Sequence, residues 1–231
     1  MSTQTAALSV EEFLKLPEPP EGHIELHHAA NLPAFEEGFH VPTFKSPDAY
    51  ALEIAGEILA DGQSSRLYKK LVIEKRMVLD IGAGYDFTSF DPSLFVVSAQ
   101  MRPGVKTEDA MAEVDKEIAA LRDKPVSAED LQKAKNLEQA EFVFGQDSIS
   151  REAELLGVYQ MLGDYHLVDA FMAGVDKVTA GDVQRAARTY LIATNCTTGV
   201  LIPTGVLPHE SGGGAGGMVR HAPDLAGEVL R

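Results

Sequence analysis

The sequence predicts an α+β domain, a mainly antiparallel sheet with helices packed on one face. Residues alternate apolar and polar from Leu79 to Phe87, and again from Phe95 to Met101, which is the period of half-buried strands. Apolar residues recur at helical spacing both before and after that pair. The order is strand, two helices, hairpin, four helical stretches, strand, so like elements are grouped rather than strictly alternating.

Taken in order, residues 1–22 read as an arm. Ser9-Val10-Glu11-Glu12 fits a capping box for one short helix, which Pro17-Glu18-Pro19-Pro20 stops. Phe35 to Val41 is a first strand, bounded by Pro33 and Pro42. Ser46-Pro47-Asp48 starts a helix with Pro in its first position. Ala51, Ile54, Ala55 and Ile58 form its apolar face, leaving Glu53 and Glu57 on the wet face, and Asp61-Gly62 ends it. A second helix begins at Ser64 or Ser65 and runs to about Arg76.

In the hairpin, Leu79, Ile81, Ala83, Tyr85 and Phe87 alternate with Asp80, Gly82, Gly84 and Asp86. Asp91-Pro92-Ser93 makes the turn, and Phe95, Val97, Ala99 and Met101 return. Met111, Val114, Ile118 and Leu121 line one face of the next helix. Ser127 caps a long one, which either continues past Gly145 to Leu162 with a kink or breaks there. His166 to about Val175 is shorter, and Thr179 to Asp182 caps a last helix with Val183, Ala186, Ala187 and Tyr190 on its apolar face. Cys196 to Ile202 closes the sheet. Residues 23–205 thus read as one domain. Residues 206–231 form a Gly-rich linker, through Ser211 to Gly217, and a tail that is either a docked peptide or disordered.

Composition excludes several classes of function. The chain of 231 residues carries a formal charge of −15, from 35 acidic and 20 basic residues. A nucleic-acid surface needs a basic face, so no nucleic-acid partner is expected. The charge suits solubility and a neutral, cationic or locally basic partner, or simply a solvated acidic surface. No run of apolar residues is long enough to span a bilayer, so no membrane partner is expected. The N-terminus lacks the basic and apolar regions of a signal peptide, and the compartment is left open. The single cysteine, Cys196, makes neither an internal disulfide nor a thiolate cluster and reads as a small buried hydrophobe.

Tests for catalytic chemistry find no catalytic set. His23-Ile24-Glu25-Leu26-His27-His28 has the residue types that zinc prefers. Its order is H-x-E-x-H, whereas zincins use H-E-x-x-H and inverted zincins H-x-x-E-H on a helix. As a strand it projects His23, Glu25 and His27 to one face, open to a surface metal contact or simply to solvent. His40, His166, His209 and His221 have no partner at ligand spacing. There is no G-x-S-x-G elbow, and Gly82-Ala83-Gly84 lies in a strand, with no third glycine opening a helix. Strand glycines allow close approach of another backbone or side chain. The face that Gly82 and Gly84 share with Asp80 and Asp86 is accordingly a candidate peptide-facing surface, or plain solvent contact.

Three patches carry a resemblance. Asp61 to Val72, DGQSSRLYKKLV, resembles the G-x-S-S-R-L-Y signature of the pitrilysin/insulinase/processing-peptidase family. Leu162-Gly163-Asp164-Tyr165 resembles a second family patch, and Val178 to Leu191 a third that precedes the final strand. They occur in the family's order, and the likeness covers roughly residues 30–205. The resemblance implies paired homologous α+β domains closing like a clam shell around a peptide chamber. The zinc and its H-x-x-E-H motif would then lie in a partner half, where zinc and a Glu activate water for peptide-bond hydrolysis.

This chain, which lacks the motif, resembles the inactive half. The expected partners are a homologous catalytic peptidase domain, on the same parent chain or a separate subunit, and a peptide substrate; isolated copies would be free to homodimerise. In this family peptides add as a strand to a sheet edge. Many members supply an Arg and then a Tyr from this half; the matching positions here, Val72 and Leu79, donate no hydrogen bond. Arg66 and Tyr68 lie near by within the general signature. With Asp80, Gly82 and Gly84 they are the candidate substrate-facing or rim residues. A non-proteolytic assembly scaffold of the same fold is the alternative, and a hydrolase built on His23–His28 a third.

Overall fold

In the structure, a computed structural model, residues 22–146 and 148–205 are described. The helix expected in the N-terminal arm and the Gly-rich tail lie outside those residues. Among the described residues five strands form one sheet: β1 (His23–His28), β2 (Ala34–Val41), β3 (Val78–Tyr85), β4 (Ser93–Met101) and β5 (Cys196–Pro203). Their order is β1-β5-β2-β4-β3, antiparallel throughout except for the parallel β1–β5 pair.

Alternation explains which side of the sheet carries the core. Phe95, Val97, Ala99 and Met101 of β4 are buried, while Val96 and Ser98 between them are half-buried and Leu94 and Gln100 are exposed. Phe35, Phe39 and Val41 of β2 and Ile81 and Tyr85 of β3 join them on the covered face. Leu79 departs from the expected pattern. The ladder is irregular between Val78 and Asp80, so Val78 takes the core position and Leu79 is turned outward, 39% exposed.

Six α-helices are present among the described residues: α1 (Ala49–Leu59), α2 (Thr107–Asp123), α3 (Ala128–Phe144), α4 (Ile149–Met161), α5 (Leu167–Lys177) and α6 (Ala180–Tyr190). The start of α1 differs from the sequence expectation. Pro47 lies in the turn before it, where Ser46 accepts the Ala49 N–H through its carbonyl and the Asp48 N–H through its hydroxyl. The second predicted helix is present as Tyr68–Glu74, wound as a π-helix; Lys75 N–H bonds to Lys70 O at its end. The long helix divides. α3 ends before Gly145, and Ser148, accepting the Arg151 N–H, caps α4 as a new helix. At α6, Thr179 accepts the Asp182 N–H while Asp182 accepts the Thr179 N–H, the full capping box.

The largest correction concerns α1. Glu53 and Glu57 are only partly accessible rather than on an open wet face; one oxygen of each is fully buried. The helix packs on β3 on one side and on α3 and α6 on others, so little of its circumference is left for solvent. Gly56 permits the contact with the sheet: a Cβ there would stand 3.2 Å from the Ala83 carbonyl oxygen and 3.3 Å from Gly84 Cα.

Candidate functional site

The candidate rim residues fall in two places. Arg66 donates to Asp130 of α3 at 2.9 Å, joining the start of the π-helical segment to α3, and Asp130 is held below its usual range by that bond. Tyr68 is half-buried against the core. Asp80 and Gly84 are exposed and Gly82 is half-buried, all on edge strand β3. Val72 packs partly against the core, and Leu79 is the residue that the irregular ladder turns outward. Arg66 is thus tied to α3 and Tyr68 set against the core, while Asp80, Gly82 and Gly84 lie along β3.

The histidine run is a strand, and His23, Glu25 and His27 do share a face. The Glu25 carboxylate lies 3.6 Å from His23 Nε2 and 3.7 Å from His27 Nε2, with all three side chains more than half exposed. Beside it a groove of about 440 Å³ lies between β5 and the N-terminal end of α2, lined by Val200, Ile202, Lys106 and Met111 among others. Among the described residues no group of three His, Cys, Asp or Glu side chains is placed to hold a metal ion. Zinc thus finds no fitting donor set in this part of the chain.

Sequence reasoning missed a different constellation. Glu53 and Glu57, one turn apart on α1, meet Glu138 of α3, which is 7% exposed. Asp61, just after α1, Asp86, just after β3, and Glu141 of α3 add their fields. Burial, then these like charges, push Glu57 up to about 10 and Glu138 up to about 7, and hold Glu53 well above the usual carboxylate range. Tyr159 of α4, 3% exposed, stands within the field of Glu53 and Glu138. Alongside, Tyr50 packs on Phe87 at 5.0 Å and on Phe171 at 6.0 Å.

Other acids of the fold are treated differently. Glu113 is within 4 Å of Lys70, Lys75 and Lys116, and the hydrogen bonds from Lys116 and then Lys75 pull it down to about 2. Asp182 is pulled down to about 2 by Thr179 and Arg185. A second isolated acid is Glu37 of β2, 3% exposed and raised to about 7 by burial and then by Asp115. Burial, then Glu37, also pushes the Cys196 thiol up to about 11, so this cysteine is not poised as a nucleophile.

The comparisons with known proteins agree with this picture. Residues 4–138 match the family model described as the peptidase M16 inactive domain. The chain is 28% identical over 166 residues to a zinc protease, PqqE, of Helicobacter pylori, covering 72% of this chain and 37% of that protein. Its fold superposes on the crystal structure of a protease from Helicobacter pylori with a TM-score of 0.73 and 26% identity, over 80% of this chain and 45% of that one. The inactive peptidase domain from Bordetella parapertussis gives a TM-score of 0.67 and 29% identity, over 78% of this chain and 97% of that one. The chain therefore spans less than half the length of the Helicobacter pylori protease that it matches, and nearly all of an isolated inactive domain. This chain belongs to the peptidase M16 inactive-domain family.

Proposed function

We propose that the chain is the non-catalytic half of a zinc metallopeptidase. It pairs with a homologous half carrying H-x-x-E-H, walls the peptide chamber and supports peptide-bond hydrolysis that the partner performs. The observation that carries the reading is the combination of M16 inactive-domain membership with a described donor set that fits no metal. Zinc belongs to the partner half in this account, and the peptide substrate is shared between the halves. The exposed residues of edge strand β3, Asp80 and Gly84, remain the proposed substrate-facing rim, with Gly82 beside them and Arg66 and Tyr68 in supporting positions. Elemental analysis of the purified chain, together with light scattering of a mixture with a catalytic half, tests the reading. The expected outcome is no stoichiometric zinc and a one-to-one complex. One tightly held zinc per chain, or no complex, would count against it.

One observation favours a second reading. Val72 is engaged with the core and Leu79 offers only an aliphatic side chain, so neither can donate to a substrate carbonyl. A relative that uses the fold as an assembly scaffold, without proteolysis, would need no donor at either position. It predicts the same complex, but with a partner that cleaves no peptide in the chain's presence.

A further inference from the structure

We infer that edge strand β1 is a self-association surface, on which a second copy of this chain pairs antiparallel and extends the sheet across a two-fold axis. Among the described strands β1 pairs on one side only, with β5. The His28 carbonyl accepts the Thr204 N–H, so the even-numbered residues of β1 turn their backbone groups toward β5. Alternation then turns the N–H and C=O groups of His23, Glu25 and His27 outward. These have no partner among the described residues. A row of unpaired backbone groups is a template for another strand.

The devices that usually blunt an edge are missing from β1. It contains no Pro, Gly or Lys, and its register with β5 is unbroken from His23 to His28. Every residue of it is exposed, including Ile24 at 46% and Leu26 at 57%. The other edge, β3, has an irregular ladder between Val78 and Asp80 and carries Gly82 and Gly84. The two sides of β1 also differ. Glu25 stands beside Val200, which packs on the core, so His23, Glu25 and His27 lie on the helix side of the sheet. Ile24 and Leu26 lie on the uncovered side, Leu26 beside Leu201.

Side-chain chemistry points to a second copy and to one register. In an antiparallel pair the outward-bonding residues must oppose one another, which places a residue of β1 on the two-fold axis. With Ile24 there, the strands overlap only from His23 to Glu25. With Glu25 there, two carboxylates meet directly, which is destabilising. With His27 there, the overlap shrinks to Leu26–His28. With Leu26 on the axis the strands overlap from Ile24 to His28, and Glu25 of each copy faces His27 of the other. Symmetry supplies that carboxylate–imidazole pair twice. On the opposite side Leu26 meets Leu26 and Ile24 meets His28, covering apolar surface that the single chain exposes. The other charged residues on the helix side, Lys106, Glu108 and Asp115, line the groove beneath α2.

The surface is the sheet edge opposite the β3 rim, so the inference stands apart from pairing with a catalytic half, and the chain alone tests it. Sedimentation velocity over a concentration series should show a monomer–dimer equilibrium. Glu25→Pro removes an outward N–H while sparing the ladder with β5, and should abolish the dimer. Should that variant fail to fold, Glu25→Lys, which sets a lysine against each His27, should weaken association about tenfold or more. Single cysteines in a Cys196→Ser background read the register. Under oxidised glutathione, Leu26→Cys should give a disulfide-linked dimer, because residues opposed at a position without ladder bonds have Cα atoms about 4.5 Å apart. Ile24→Cys and Glu25→Cys should stay unlinked. A chain monomeric at every concentration, a dimer indifferent to Glu25→Lys, or linkage at position 24 or 25 instead of 26 would overturn the inference.

Discussion

Arg185 of α6 donates to the Asp48 carboxylate at 2.6 Å, tying the last helix to the N-terminal end of α1 across 137 residues of sequence. Asp48 also accepts the Tyr190 hydroxyl at 3.2 Å, and Arg185 is fixed from behind by Asp182. Asp48 is mostly buried and Arg185 half exposed, so solvent screens part of the interaction. Arg185→Ala is expected to cost about 1 kcal/mol. Urea denaturation should show a lower midpoint with an unchanged slope.

Gly56 and Gly157 should respond to the same substitution with opposite signs. A Cβ at Gly56 meets backbone atoms of β3, which cannot yield as a side chain would. Gly56→Ala is therefore expected to destabilise by about 1–3 kcal/mol through overpacking, outweighing the helix-propensity gain. Gly157 of α4 has nothing within 4 Å of its Cβ position. Gly157→Ala should stabilise by about 0.5–1 kcal/mol. Thermal melts of the two variants check both signs.

Thr179→Ala removes one side of the capping box on α6. The loss should be about 1 kcal/mol, read from the same denaturation curves. This feature was legible in the sequence, because a cap depends on residues only three apart. The hairpin was legible for a similar reason: Phe95, Val97, Ala99 and Met101 alternate, and all four are buried.

What the sequence hid depends on long-range packing. A periodicity reading places Glu53 and Glu57 on the wet side of α1, yet α3, seventy or more residues later, covers them. A signal was available. Those are the only charged residues of Ala49–Leu59, and a helix apolar nearly all round is covered on more than one side. The outward turn of Leu79 follows from a one-residue irregularity between Val78 and Asp80, which alternation cannot register. The π-helical winding of Tyr68–Glu74 likewise has no pattern in residue type that distinguishes it from an α-helix. Arg66 was visible as part of a signature, but its engagement with Asp130 was not.

The raised carboxyl groups set the pH dependence of the free chain. A carboxyl group whose folded pKa is raised stabilises the fold where the unfolded chain also holds the proton, and that stability is lost as pH rises through the folded value. Glu37 and Glu138, near 7, and Glu57, near 10, therefore lower stability progressively above the ordinary carboxylate range. Glu113 and Asp182, near 2, act oppositely and lose their contribution as pH falls toward that value. Stability should peak in mildly acidic solution and decline toward alkaline pH. Glu57→Gln should flatten the alkaline decline, as followed by urea midpoints across the pH range.

In the role proposed above, the chain supports peptide hydrolysis while the partner half holds the catalytic metal. The most direct test adds it to a purified M16 half bearing H-x-x-E-H and follows cleavage of a fluorogenic peptide. The account predicts negligible cleavage by either half alone and robust cleavage by the zinc-loaded mixture. Full activity of the catalytic half unaided, unchanged by this chain, would contradict it.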